Sequence, residues 1–158
     1  MQKITTFLTF KDQAEDAVKL YTSVFKNSRI TGTQRYGDAG PGPKGAVMTM
    51  SFELDGQPFM ALNGGPTFRF ADGISLFVDC ETQAEVDRLW EKLTAGGGKP
   101  GRCGWLTDRF GVSWQIVPSV LREVLGGQDA EGAKRAMQAM LQMDKLDVAA
   151  LRRAYDGR

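Results

Sequence analysis

No histidine occurs anywhere in the 158 residues. Imidazole is the most common protein metal ligand and the side chain that titrates nearest neutrality, so histidine-dependent metal binding and histidine base chemistry are both excluded. Only two cysteines are present, Cys80 and Cys103. They are too few for a secreted disulfide framework, and without histidine they cannot complete a four-ligand zinc site, so two reduced thiols are expected. No hydrophobic run is long enough to cross a bilayer, and Met1-Gln2-Lys3-Ile4 leads straight into alternating residues instead of an apolar leader. A cytoplasmic protein with no membrane partner is expected. An excess of one charge is missing too. Twenty Lys and Arg stand against 19 Asp and Glu without a long run of either sign, which argues against a nucleic-acid partner.

What is present suits one globular domain over residues 1–158: a mass of 17.3 kDa and 42% apolar residues, enough to bury a core without staples. Ile4, Thr6, Leu8 and Phe10 alternate as in a strand. Ala14, Ala17, Val18 and Tyr21 then recur at helical spacing. Thr31 to Tyr36 reads as a second strand, closed by the Gly- and Pro-rich stretch 37–45, which is the candidate mobile loop. Met48 to Leu54, the turn Asp55-Gly56 and Phe59 to Leu62 form a hairpin.

After Asn63-Gly64-Gly65-Pro66 the order begins again. Ile74 to Cys80 reads as a strand, and Val86, Leu89, Trp90 and Leu93 repeat the first helix's spacing; Gln-Ala-Glu stands near the start of both helices. Trp105 to Thr107, a turn at Asp108 to Gly111, and Val112 to Val117 give a second hairpin. The chain is read as an internal duplication of two βαβββ modules, residues 3–66 and 72–118. Beyond Pro118 the pattern is wholly helical, with a cap at Asp129 and a last helix after Asp147. The apolar stripes of this extension, residues 119–158, have no strand to cover. A homodimer with the C-terminal helices and their methionines, Met137, Met140 and Met143, at the interface is therefore expected.

Each strand splits into two phases. One phase, running from Ile4, Leu8 and Phe10 through Phe52 and Phe59 to Ile74, Trp114 and Ile116, is nearly all apolar and should lie under the helices. The other mixes hydroxyls, amides and apolar groups: Thr5, Phe7, Thr9, Met60, Ser75, Phe77 and Gln115. That mixture suits the lining of a ligand cleft, with solvent exposure as the alternative. Glu53 is the one carboxylate at a strand centre in this phase. Burial beside Met60 and Phe77 would raise its pKa and make it a general base, while a solvated position would leave it inert.

With this pattern on the page, residues 3 to 118 resemble the glyoxalase, bleomycin-resistance and dioxygenase group, the vicinal oxygen chelate superfamily. The stretches 61–66 and 103–118 resemble its PhnB-like subfamily, labelled 3-demethylubiquinone-9 3-methyltransferase, and so does the helical tail. The resemblance implies an α+β fold of paired βαβββ modules in a curved eight-stranded mixed sheet, with extra C-terminal helices. It also implies a divalent metal held by two histidines and a glutamate. The corresponding positions here fall near Thr5 and Gly73 and on Gln115, and Thr67 stands where the subfamily often has a further histidine. A hydroxyl, a glycine and a neutral amide make no metal site, so no metal and no cofactor are expected. Methyl transfer is implied by the label alone, since no glycine-rich turn joins a strand to a helix. The reading is a small-molecule-binding protein whose activity is undefined; a metal-independent enzyme using Glu53 and a methyltransferase are the alternatives.

Overall fold

The computed structural model describes residues 3–158; Met1 and Gln2, which open the stretch read as leaving no leader, lie outside them. Two compact units, Met1–Arg69 and Phe70–Arg158, each carry one βαβββ module. In the first, β1 (Thr6–Phe10) precedes α1 (Ala14–Val24), followed by β2 (Arg29–Arg35), β3 (Val47–Leu54) and β4 (Gln57–Asn63). The sheet order is β1-β4-β3-β2, with β1 parallel to β4 and the other pairs antiparallel. The second unit repeats this with β5 (Leu76–Cys80), α2 (Gln83–Thr94), β6 (Lys99–Pro100), β7 (Trp105–Thr107) and β8 (Ser113–Pro118), ordered β5-β8-β7-β6 with β5 parallel to β8. The eight strands expected from the sequence thus form two four-stranded mixed sheets of one topology.

Alternation decides which face is covered. In the first unit Leu8, Phe10, Met50, Phe52, Phe59 and Ala61 are buried, and so are Ala14, Ala17, Val18 and Tyr21 of α1, which packs on β3 and β4. Phe52 and Phe59 are register partners whose rings stack with centroids 5.4 Å apart, so the β3–β4 hairpin is pinned by an aromatic cross-strand pair. In the second unit α2 buries Val86, Leu89 and Leu93 over Leu106, Trp114 and Ile116. Ile4 and Ile74, expected on the covered phase, are instead exposed, at 84% and 79%. The strands begin only at Thr6 and Leu76, where their parallel partners Phe59 and Trp114 are available for pairing.

The two helices are capped by different means. Thr82 accepts from the Glu85 amide, and the Glu85 carboxylate accepts from the Glu81 amide, a capping box built within five residues. The first amide of α1, at Ala14, donates instead to Asn63 Oδ1 at 2.9 Å, while Asn63 Nδ2 donates to the Val47 carbonyl. Asn63 of the Asn-Gly-Gly-Pro stretch is therefore a structural clamp joining α1, β3 and β4. The loop 37–45 wraps the ring of buried Tyr36, whose hydroxyl donates to the Asn63 carbonyl. A β-carbon on Gly42 would overlap that ring, which explains a glycine there.

The helical tail consists of α3 (Val120–Leu125), α4 (Ala130–Met140) and α5 (Val148–Asp156). Its stripes converge on a cluster of Val117, Val120, Val124, Ala136, Leu146 and Leu151, with Met140 and Met143 packed against it. Leu146 seats against Gly104, where a β-carbon would lie 2.8 Å from the Ile116 carbonyl oxygen and 3.1 Å from Leu146. The Gln83 amide locks the seat at both ends: Nε2 donates to the Leu146 carbonyl and Oε1 accepts from the Val148 amide. Among the described residues no helix is long and apolar enough to cross a membrane.

The second hairpin depends on one buried carboxylate. Asp108 Oδ1 accepts from the Phe110 and Val112 amides, and Oδ2 accepts from the Trp114 indole at 2.9 Å. Removing it strands three donors, at about 1–3 kcal/mol for each one left buried. Asp108→Ala should lower the unfolding free energy in urea by about 3–5 kcal/mol; a loss below about 1 kcal/mol would show the hairpin is held otherwise.

Candidate functional site

The phase of each sheet that turns away from its helix carries the residues expected at the site, although on the second sheet Val117 of that phase is buried against the tail. On the first, register places Phe7 beside Met60 and Met60 beside Ser51, one row across three strands, with Thr9, Leu62 and Thr49 forming the next. Thr5 is exposed just ahead of β1, and Thr49 Oγ1 donates to Gln34 Oε1. Phe7 is 48% exposed, unusual for a phenylalanine at the centre of a strand.

Glu53 continues this face towards the Asp55-Gly56 turn, opposite Arg29 and Pro58. Its Oε2 accepts from Arg29 Nε at 2.9 Å. Of the two surroundings the sequence leaves open, burial beside apolar groups and a solvated position, the structure supplies neither alone: the partner at the carboxylate is a guanidinium from the neighbouring strand.

On the second sheet Phe77, Gln115 and Trp105 occupy equivalent positions on three adjacent strands, so their side chains stand in one row on one face. Gln115 Nε2 donates to Ser75 Oγ at 2.9 Å. Phe77 is 54% exposed, while Gln115 and Trp105 are half-buried. The next row offers Thr107 and buried Ser113, with Lys99 beyond Thr107 at the sheet edge. Asp79, along β5 from Phe77, pairs with Arg122 of α3. Ser75, Phe77 and Gln115 are thus brought together on one face of this sheet. Trp105 joins the row through its pairing with Gln115; β7, three residues long, shows no periodicity that assigns it a face from the sequence, where counting back from the Asp108 turn to the position opposite Gln115 does.

The divalent ion implied by the resemblance does not fit this residue set. Thr5 is exposed ahead of its strand, Gly73 has no side chain, and Gln115 presents a neutral amide engaged by Ser75 between two aromatic residues. No three His, Cys, Asp or Glu residues gather into a metal-holding group among the described residues. A sulfonium methyl donor fits no better. The links from strand to helix are Lys11-Asp12-Gln13, Glu81-Thr82 and Ser119, none containing the glycine turn such a cofactor needs.

The cysteines have structural surroundings. Cys103, at φ 59°, donates its amide to the Met143 carbonyl and its thiol to the Met140 carbonyl, tethering the tail to the start of β7. Cys80 closes β5 and is fully buried; burial, with Glu85 and Asp79 adding to it, pushes its thiol up to about 12.

Paired βαβββ modules, each with its helix on one face of its sheet, define the chain as a glyoxalase-fold protein. The model of the 3-demethylubiquinone-9 3-methyltransferase family matches residues 2–117, and the chain belongs to that PhnB-like family. Its tail lies beyond the match. The solved PhnB protein from Bacillus cereus is 40% identical, with a TM-score of 0.69 over 75% of this chain and 100% of that one. Protein PA1353 from Pseudomonas aeruginosa, 22% identical, shares the fold at a TM-score of 0.62 over 75% of this chain and 98% of that one. The fosfomycin resistance protein FosX from Listeria monocytogenes, 15% identical, does so at 0.52 over 78% and 97%. No curated protein matches significantly.

The raised Cys80 value has a consequence for stability. In the unfolded chain the thiol ionises near its ordinary value of 9.0, while the folded chain holds the proton to about 12. Between these values the folded state binds more protons, so the contribution of Cys80 to stability is intact below pH 9 and is lost as the pH rises towards 12. The melting temperature of the wild type should therefore fall more steeply above pH 9 than that of Cys80→Val; parallel curves would remove Cys80 from the account.

Proposed function

We propose that the chain binds a small, partly apolar molecule on the face of its second sheet that turns away from α2, without a metal ion. One observation carries the reading: an amide, Gln115, stands between two aromatic side chains, Phe77 and Trp105, in one row of the sheet. Exposed aromatic area beside a few oriented polar groups is the composition of a ligand site. Neighbouring strands lie about 4.8 Å apart, so the backbones of β5 and β7 are about 10 Å apart across β8. Two rings and a flat group at contact distances of about 3.5–4 Å fit that span. The first module offers a related surface, with Phe7 and Met60 as its apolar part and Thr5 and Thr9 as its hydroxyls.

The reading also holds that the protein works in the cytoplasm as a homodimer through its C-terminal helices. Met137 and Leu141 support this contact: they remain 41% and 51% exposed after Met140 and Met143 have packed inward. Replacing both Met137 and Leu141 with Lys should convert a dimer to a monomer in sedimentation velocity. A dimer that survives the double substitution would move the interface elsewhere.

Binding is tested with 2-naphthol followed by calorimetry. Phe77→Ala and Trp105→Ala should each weaken it about tenfold, on the order of 1.4 kcal/mol, and dialysis against a chelator should leave the affinity unchanged. Loss of affinity on chelation, restored by Mn2+ or Zn2+, would overturn the metal-free reading; wild-type affinity in both alanine variants would overturn the site.

A further inference from the structure

We infer that the second module's row selects flat, uncharged ligands presenting a hydrogen-bond donor beside an acceptor on one edge, a lactam being the simplest such group, and that Ser75 is the positioning residue for this choice. The inference rests on the binding reading above and gives it a ligand class.

A glutamine amide has one oxygen acceptor and two N–H donors in a single plane. Ser75 Oγ takes one of those donors at 2.9 Å. Oε1 and the second N–H then remain on the same planar group for a ligand held between Phe77 and Trp105. An apolar ring that covered Gln115 would strand both groups away from water, at about 1–3 kcal/mol for each left unpaired. A ligand edge carrying one acceptor and one donor returns both bonds. An acceptor alone leaves Oε1 unpaired; a donor alone leaves the N–H.

The charges nearby do not favour an ion in this row. Asp79, along β5 from Phe77, is neutralised by Arg122, and Lys99 stands at the sheet edge beyond Thr107. Within the row itself every side chain is neutral, so a carboxylate between the rings would find no counter-ion and leave Oε1 without a donor, and an ammonium would leave the remaining N–H without an acceptor. In the arrangement observed the serine hydroxyl accepts from Nε2, which ties one side of the amide and leaves one donor and one acceptor for a ligand. Alanine at 75 would free the amide to rotate and present two donors or one acceptor at no cost.

Four bicyclic probes of one size separate these ideas: 2-quinolinone with donor and acceptor, quinoline with an acceptor only, naphthalene with neither, and 2-naphthoate as an anion. Calorimetry on the full chain should show 2-quinolinone binding at least tenfold more tightly than the other three. In Ser75→Ala that preference should fall below threefold while naphthalene affinity is kept, and Ser75→Thr, which retains a hydroxyl, should restore it. Equal affinities within threefold for all four probes would overturn the selectivity and leave the binding reading standing. So would a preference for quinoline or 2-naphthoate. Absence of binding by every probe would overturn the binding reading itself. A tenfold preference surviving in Ser75→Ala would remove Ser75 from its role.

Discussion

Burial of one phase of each sheet beneath a single helix governs the other face. Once Ala17, Val18 and Tyr21 are packed over Phe52 and Ala61, and Leu89 and Leu93 belong to the matching core of the second unit, the strands cannot slip by one residue without turning their apolar side chains to water. A fully buried phenylalanine or leucine contributes about 1.5–3 kcal/mol, and several would be lost together. The register so fixed carries Phe77, Gln115 and Trp105 into one row, although none of the three belongs to the tightly packed core.

The two modules answer the same geometric problem with different chemistry. At equivalent positions the first has Phe7, Met60 and Ser51, and the second has Phe77, Gln115 and Trp105. Phenylalanine is kept at the parallel strand, while the centre changes from thioether to amide and the third strand from hydroxyl to indole. The outward faces are therefore unequal: the first offers adaptable apolar contact, the second an oriented hydrogen-bonding edge between rings. The position that the superfamily resemblance assigns to a metal-binding glutamate is the one holding that amide.

Period-two alternation made the division into faces legible, because Phe7, Met60, Phe77 and Gln115 each stand one residue out of phase with an apolar run. It carried no information about strand ends, which are set by partners elsewhere in the chain, and so Ile4 and Ile74 were assigned to the wrong surroundings. The fate of the tail depended on the bare backbone of Gly104 and the two-ended amide of Gln83, neither of which has a sequence signature. Glu53 was read from its own strand, whereas its guanidinium neighbour comes from β2, a strand exposed along its whole length. Long-range hydrogen bonds and ion pairs are the part that a linear pattern leaves out.

The unequal capping of the helices separates them in how far along the chain each must reach for its closing contact. The turn that opens α2 is closed by Thr82 and Glu85, available as soon as those few residues coil. The amide that opens α1 is met by Asn63, 49 residues along the chain, which is itself held to the Val47 carbonyl at the start of β3. Local contacts are made at smaller loop-closure cost than distant ones. The second half of the duplication therefore closes its helix with its own neighbouring residues, and the first half draws on its sheet to close one.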